Sequence, residues 1–256
     1  MSGITALVLA GSRQGAADPL AVAGNVSHKA LLPVGGQAMI LRVVTALRAS
    51  GRIGRIAISI ESPQALAPII GLLGDVEILP AASGPSKSVA EALDLLGAPL
   101  LVTTADHALL QPEWVRQFLD DQPADADLAI GLAERKAILA ALPNTRRTYL
   151  KFSDGAVSGC NLFYLRTLEA RRAVVLWQRL EALRKQPLHM IAAFGVWPLI
   201  RFATGTLSKR AALKHIGRKT ELAVGAVEMK NGLAAVDVDK LQDLELVEEL
   251  FRTGRI

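Results

Sequence analysis

Between Ile4 and Ala133, short apolar runs alternate with helical patterns, and this rhythm limits the fold more than anything else in the chain. Runs of strand length lie at Ile4 to Ala10, Ile53 to Ile60, Val76 to Leu79, Pro99 to Thr104 and Asp127 to Ala133. Near-continuous Val, Ile and Leu at that length suits strands buried on both faces. The stretches between carry helix marks. Ile40, Val43, Val44 and Leu47 share one face of a helix from Ala38 to Ser50, which Gly51 closes. Prolines open helices at Pro63 to Leu73 and Pro112 to Leu119, and Val89 to Leu96 is another. Strand–helix alternation with short loops predicts an α/β fold, doubly wound and Rossmann-like, on a mostly parallel sheet.

The rhythm changes after residue 134. Arg146 to Phe152 and Asn161 to Leu165 look like strands joined at Ser153-Asp154-Gly155. Helical stretches follow at Leu168 to Lys185 and Pro187 to Phe202. Glu221 to Met229 and Leu233 to Val236 suggest a hairpin around Asn231-Gly232, a strong turn signal. Leu241 to Phe251 is a last helix. We expect one domain over residues 1–256, with a small antiparallel part and a helical appendage over 167–219.

The first strand stops in Gly11-Ser12-Arg13-Gln14-Gly15. Glycines there let backbone approach a ligand, and successive N–H groups form a nest for anions. Arg13 and Lys29 add positive charge. The position is the carboxyl end of a strand, where open α/β sheets bind ligands. The excess of 29 Lys and Arg over 24 Asp and Glu suits a polyanionic small molecule or an anionic membrane. Aromatics are only 4%, which argues against nucleic acid, whose bases need stacking platforms. The single cysteine, Cys160, fits a reducing compartment, and the N-terminus does not resemble a signal peptide, so a cytoplasmic location is expected.

L-A-G-S-R-Q-G followed by H-K-A-L-L-P-V-G-G-Q-A-M-I resembles the opening of the MobA-like nucleotidyltransferases. The resemblance departs in two places. Ser12 replaces a glycine, and Ala16 to Ser27 intervene before Lys29. It implies a GT-A-like fold and transfer of a nucleoside monophosphate from an NTP, with release of pyrophosphate. Leu9, Ala10, Gly11, Ser12, Arg13, Gly15 and Lys29 would then hold the nucleotide, with Arg13 and Lys29 on its phosphates.

Three further segments extend the likeness. Asp106, in Thr104-Ala105-Asp106-His107, ends a buried strand; in the family the similarly placed Asp binds magnesium. It lies too far upstream to cap the helix at Pro112. Val236-Asp237-Val238-Asp239-Lys240-Leu241-Gln242-Asp243-Leu244 is similar to the closing V-D-T-P-E-D-L. That match makes Asp239 the second magnesium ligand, with Asp237 in reserve and Asp243 a helix-start acid; N-capping is the alternative for Asp239. Two hard carboxylates leave room for water and phosphate, as Mg2+ prefers. Gly84-Pro85-Ser86-Lys87-Ser88-Val89 resembles both guanylyl- and cytidylyltransferase loops, which implies that Gly84 and Ser88 touch the nucleoside of GTP or CTP. Ser88 could equally cap its helix.

Gly159-Cys160-Asn161-Leu162-Phe163 is similar to a segment near the acceptor in relatives. Arg147, Lys151 and Asn161 are therefore candidate acceptor contacts, or else part of a solvated basic hairpin. The acceptor would be a phosphorylated small molecule or a lipid-linked one. Pro187 to Ala203 is apolar, contains Trp197 and Phe202, and is flanked by cations. It suits a peripheral membrane contact, a buried helix or a homodimer contact. Two other classes stay open: a metal-dependent glycosyltransferase using a nucleotide sugar, although the usual D-x-D is absent, and a non-catalytic nucleotide-binding protein.

Overall fold

The structure is a computed structural model and describes residues 3–12, 14–145, 147–183 and 195–256. The predicted runs form β1 (Ile4–Leu9), β4 (Ile53–Ile60), β5 (Glu77–Pro80), β6 (Leu100–Thr104) and β7 (Leu128–Glu134). A two-residue hairpin, β2 (Pro33–Val34) and β3 (Gln37–Ala38), lies apart from the main sheet. The main sheet runs β10-β7-β9-β6-β1-β4-β5, where β10 is Val224–Glu228 and β9 is Gly155–Leu165. β8 (Leu150–Phe152) pairs with β9 outside that path. All main pairings are parallel except those of β9, which is antiparallel to both β6 and β7. The antiparallel part is thus a strand inserted within the sheet.

Alternation along β1 explains the two apolar layers. Ala6 and Val8 face one side and Leu7 the other. The first layer joins α2 (Met39–Ala49), α5 (Pro112–Asp120), α6 (Arg135–Ala141) and α10 (Leu241–Arg252) to the sheet. The second joins α4 (Pro85–Leu96) and α7 (Arg171–Leu183). Val43, Val44, Leu47 and Phe118 are completely buried. Each such side chain contributes about 1.5–3 kcal/mol through removal from water. Two helices follow α7: α8 (Val196–Ala203) and α9 (Lys209–Thr220).

Some expectations need correction. Glu221 to Val236 is not a hairpin: β10 pairs in parallel with β7, and Gly232–Ala235 is a 3-10 turn. The Asn231 side chain accepts the Leu233 N–H at 2.9 Å, so it caps this turn. Gly232 serves close packing, since an added Cβ would lie 2.3 Å from the Ala137 carbonyl oxygen. Pro63 to Leu73 splits into a 3-10 turn, Pro63–Ile69, and the short α3 (Ile70–Leu73), because Pro68 lacks the N–H a continuous helix needs. Arg146 to Phe152 contracts to β8, with Arg146 outside the described residues. Of Pro187 to Phe202, residues 187–194 lie outside them and Val196 onward is helical. The intervening Ala16 to Ser27 contains α1 (Pro19–Ala23), whose Leu20 N–H is capped by Asp18 at 2.9 Å.

Candidate active site

Register builds the site. Leu9 of β1 pairs with Ser59 of β4 and with Thr104 of β6. Two residues beyond these partners come Gly11, Glu61 and Asp106, which therefore emerge together at one sheet edge. β5 adds Ala81 and Ala82 just past its own end. Together they line an open cleft of about 850 Å³. Of the residues predicted to bind nucleotide or metal, Leu9, Gly11, Ser12, Lys29, Gly84, Ser88, Asp106 and Asp239 line this cleft. Ala10 borders a smaller cavity of about 40 Å³ next to the same turn. Gly15 takes a positive φ of 51° at the start of a 3-10 turn and does not line the cleft. Arg13 lies outside the described residues.

Lys29 is the centre of charge. Its Nζ donates to Asp106 Oδ2 at 2.9 Å and to Asp239 Oδ1 at 3.1 Å. Burial pulls the ammonium pKa down, but the two carboxylates outweigh it and the net shift is upward. Burial raises the Asp106 pKa, and Lys29 opposes this only in part. The other Asp106 oxygen, Oδ1, is buried and has no hydrogen bond of normal geometry. The Thr104 hydroxyl lies beside this carboxylate and joins Lys29 in favouring its charged form. The Val238 N–H donates to the Asp106 carbonyl at 3.0 Å, which holds the 237–239 segment beside this strand end. Asp243 accepts from the N–H groups of Asp239 and Lys240 at 3.2 and 3.0 Å, so it caps α10.

The two aspartates of the closing segment have separate partners. Asp237 is ion-paired with Arg147 and accepts from Asn161 Nδ2 at 3.2 Å. Two of the three candidate acceptor contacts are thus tied to Asp237 and do not line the cleft. Lys151 sits exposed on β8. Asp239 remains the carboxylate beside Asp106. Asp106 and Asp239 offer hard carboxylate oxygens, the ligand chemistry that Mg2+ prefers. Among the described residues there is no group of three or more His, Cys, Asp or Glu that could hold a metal ion.

Two participants escaped the sequence reading. Glu61 Oε2 accepts the Ser12 N–H at 3.0 Å in the turn that follows β1. His28 is buried, accepts the Ala30 N–H on Nδ1 at 3.0 Å, and lies 3.1 Å from Glu61 Oε1 through Nε2. Because Nδ1 accepts, the proton is assigned to Nε2, which donates to Glu61. His28 therefore anchors the Lys29 turn to the Gly11–Ser12 turn. A lone His before a motif lysine gives no such signal; the β4 register gives one for Glu61.

The loop before α4 shapes another side of the cleft. Ser88 does not cap its own helix; its Oγ accepts the Ala82 N–H at 2.9 Å and fixes the loop. Ser86 Oγ donates to Glu181 Oε2 of α7 at 2.6 Å. Cys160 is buried, and burial pushes its thiol up to about 12, so it is not a nucleophile.

A glycine turn, a lysine and two carboxylates at the edge of a mostly parallel sheet agree with the nucleotidyltransferase class. The chain belongs to the MobA-like NTP transferase domain family, whose sequence model matches residues 6–219. It is similar in structure to a hypothetical transferase from Thermus thermophilus: 30% identity over 94% of this chain and 99% of that one, TM-score 0.80. It shares its fold with a CMP:2-keto-3-deoxy-manno-octonic acid synthetase complexed with CTP, at 14% identity, coverage of 98% of both chains and TM-score 0.56. The 4-diphosphocytidyl-2C-methyl-D-erythritol synthase of Anaerococcus prevotii is another such neighbour: 10% identity, 98% of this chain, 99% of that one, TM-score 0.59. No curated protein matches the chain in sequence.

Proposed function

We propose that this protein is a magnesium-dependent nucleotidyltransferase that moves a nucleoside monophosphate from CTP or GTP, CTP ahead, to a phosphorylated acceptor. The observation that carries this reading is the Lys29 bridge between Asp106 and Asp239 in the cleft formed by the Gly11–Ser12 turn and the Gly84–Ser88 loop. An acceptor oxygen attacks the α-phosphorus in line, the bond to the β-phosphate oxygen breaks, and pyrophosphate leaves. Such chemistry needs positioning and charge neutralisation more than acid–base groups. Asp106 and Asp239 would hold the metal, which would supply positive charge to the triphosphate oxygens. Lys29 turns from its carboxylates to the phosphates as substrate enters. The Ser12 N–H, now on Glu61, is available to a phosphate oxygen once that carboxylate yields. Arg13 adds a second cation. Ser88 keeps the loop open for ribose and base.

The cytidine preference rests on Lys87-Ser88-Val89 and on the fold neighbours named for CMP and diphosphocytidyl products. Gly84-Pro85 favours guanosine. Thermal-shift titration with each NTP plus Mg2+ tests it, since a ligand stabilises by mass action. CTP or GTP should stabilise most, and release pyrophosphate with a phosphorylated sugar or alcohol. Stabilisation by ATP or UTP alone refutes the donor assignment. Asp106→Asn should remove turnover by about 10²-fold or more with the fold intact. Full activity in that variant refutes the site.

A further inference from the structure

The stretch from Ala182 to Thr220 contains no Asp or Glu and eight Lys or Arg residues. The chain as a whole has 29 cations and 24 acids, so everything outside this stretch is net negative. The positive charge is therefore concentrated, not spread. Concentrated charge on one surface gives the molecule an orientation in an electric field.

The described part of this stretch joins that charge to exposed apolar surface. No residue of α8 is buried. Trp197 is 72% exposed, and Val196 and Ile200 are exposed beside it. Trp197, Ile200 and Arg201 follow helical spacing and share a face. On α9, Arg210, Lys214 and Arg218 recur every four residues and form a stripe. Among the described residues, none of these three has a carboxylate within ion-pair distance. Trp197, Arg201 and Arg218 line one shallow cavity of about 430 Å³ between the two helices.

The surface is held in place. Phe202 packs edge-on against Phe152 of β8, ring centres 5.7 Å apart. The Ser153 N–H donates to the Leu207 carbonyl at 2.9 Å, and the Lys209 N–H to Asp154 at 2.8 Å. The β8–β9 turn thus carries the α8–α9 pair. Because β9 is antiparallel, that turn lies at the same sheet edge as the cleft.

We infer that α8 and α9 form a docking surface for an anionic phospholipid membrane. Trp197, Val196 and Ile200 enter the headgroup boundary, while Arg201, Arg210, Lys214 and Arg218 meet lipid phosphates. Amphipathic rings beside cations suit that interface, whereas cations alone would suit any polyanion. Charge favours a membrane over a second copy of the chain, because pairing two such basic faces brings like charges together. This surface is independent of the nucleotide cleft.

The test is flotation of the full-length protein with vesicles of phosphatidylcholine, alone or mixed with phosphatidylglycerol. Binding is expected only to the anionic vesicles, weakening as salt rises. Each surface cation removed should lower partitioning roughly fivefold, and Arg210→Ala/Lys214→Ala/Arg218→Ala by ~100-fold. Tryptophan emission should shift to the blue on anionic vesicles, and Trp197→Phe should lose that shift. Far-UV circular dichroism confirms that the variants are folded. The inference is overturned by no binding to anionic vesicles at low salt, by equal binding to phosphatidylcholine, or by an unchanged triple variant. Tighter binding to an RNA duplex than to vesicles also overturns it. So does a dimer in light scattering that Trp197→Ala dissolves.

Discussion

Replacing Lys29 by Met should destabilise the protein, tighten its hold on Mg2+ and lower turnover, all for one reason. The ammonium makes two ion pairs of different character. Side-chain exposure is 17% for Lys29, 22% for Asp106 and 58% for Asp239. Removing one partner of a buried pair costs about 3–5 kcal/mol, because it strands the other charge. A surface pair is worth about 0–1 kcal/mol. Lys29–Asp106 stands near the first limit and Lys29–Asp239 near the second. The expected cost is therefore about 3 kcal/mol, almost all of it through Asp106. For a chain of this size that lowers Tm by about 6–12 °C. Two carboxylates without their ammonium attract a divalent cation more strongly, so Mg2+ should raise the variant's Tm more than the wild type's. Adding Asp106→Asn to Lys29→Met should restore much of the loss, since no stranded charge is left. The assay is a thermal or urea melt of the four proteins of this cycle, with and without Mg2+. A Lys29→Met protein as stable as wild type, or one that the second substitution fails to rescue, refutes the reasoning.

Asp243→Ala should cost about 1 kcal/mol in a urea melt through the α10 cap while pyrophosphate release stays near wild type; activity lost as fully as in Asp239→Asn would mean that their roles are misassigned. His107 is buried against Trp114, and burial lowers its pKa to about 4. Below pH 6.5 the unfolded chain takes up a proton that the folded one refuses, so stability should fall as pH drops from 6.5 toward 4, by on the order of 3 kcal/mol, and stay flat above. His107→Phe should flatten that part of the Tm–pH curve; an unchanged slope refutes the assignment.

Strand and helix order through residue 134 was legible in the chain because buried parallel strands demand long apolar runs and loops demand Gly and Pro. The strand-end acids were legible too, through a resemblance that brought Gly11, Lys29, Asp106 and Asp239 into one expectation. Asp243 was legible as a helix-start acid, since capping depends on neighbours within a few residues.

Pairing over long separations was not. That β9 enters between β6 and β7, and that β10 runs parallel to β7, depends on contacts across the sheet, which leave little trace in local spacing. Asn231-Gly232 carried the chemistry of a hairpin turn, yet packing against Ala137 decided its conformation. The same holds at the site. Asp237 and Asp239 are alike in sequence, and only the folded chain hands one to Arg147 and the other to Lys29. Glu61 and His28 are unremarked polar residues until β1 and β4 align and bring a carboxylate to the Ser12 N–H and an imidazole behind it. Local chemistry is written along the chain, whereas which charge meets which is settled by strand register and burial, because only those bring residues distant in sequence within hydrogen-bonding reach.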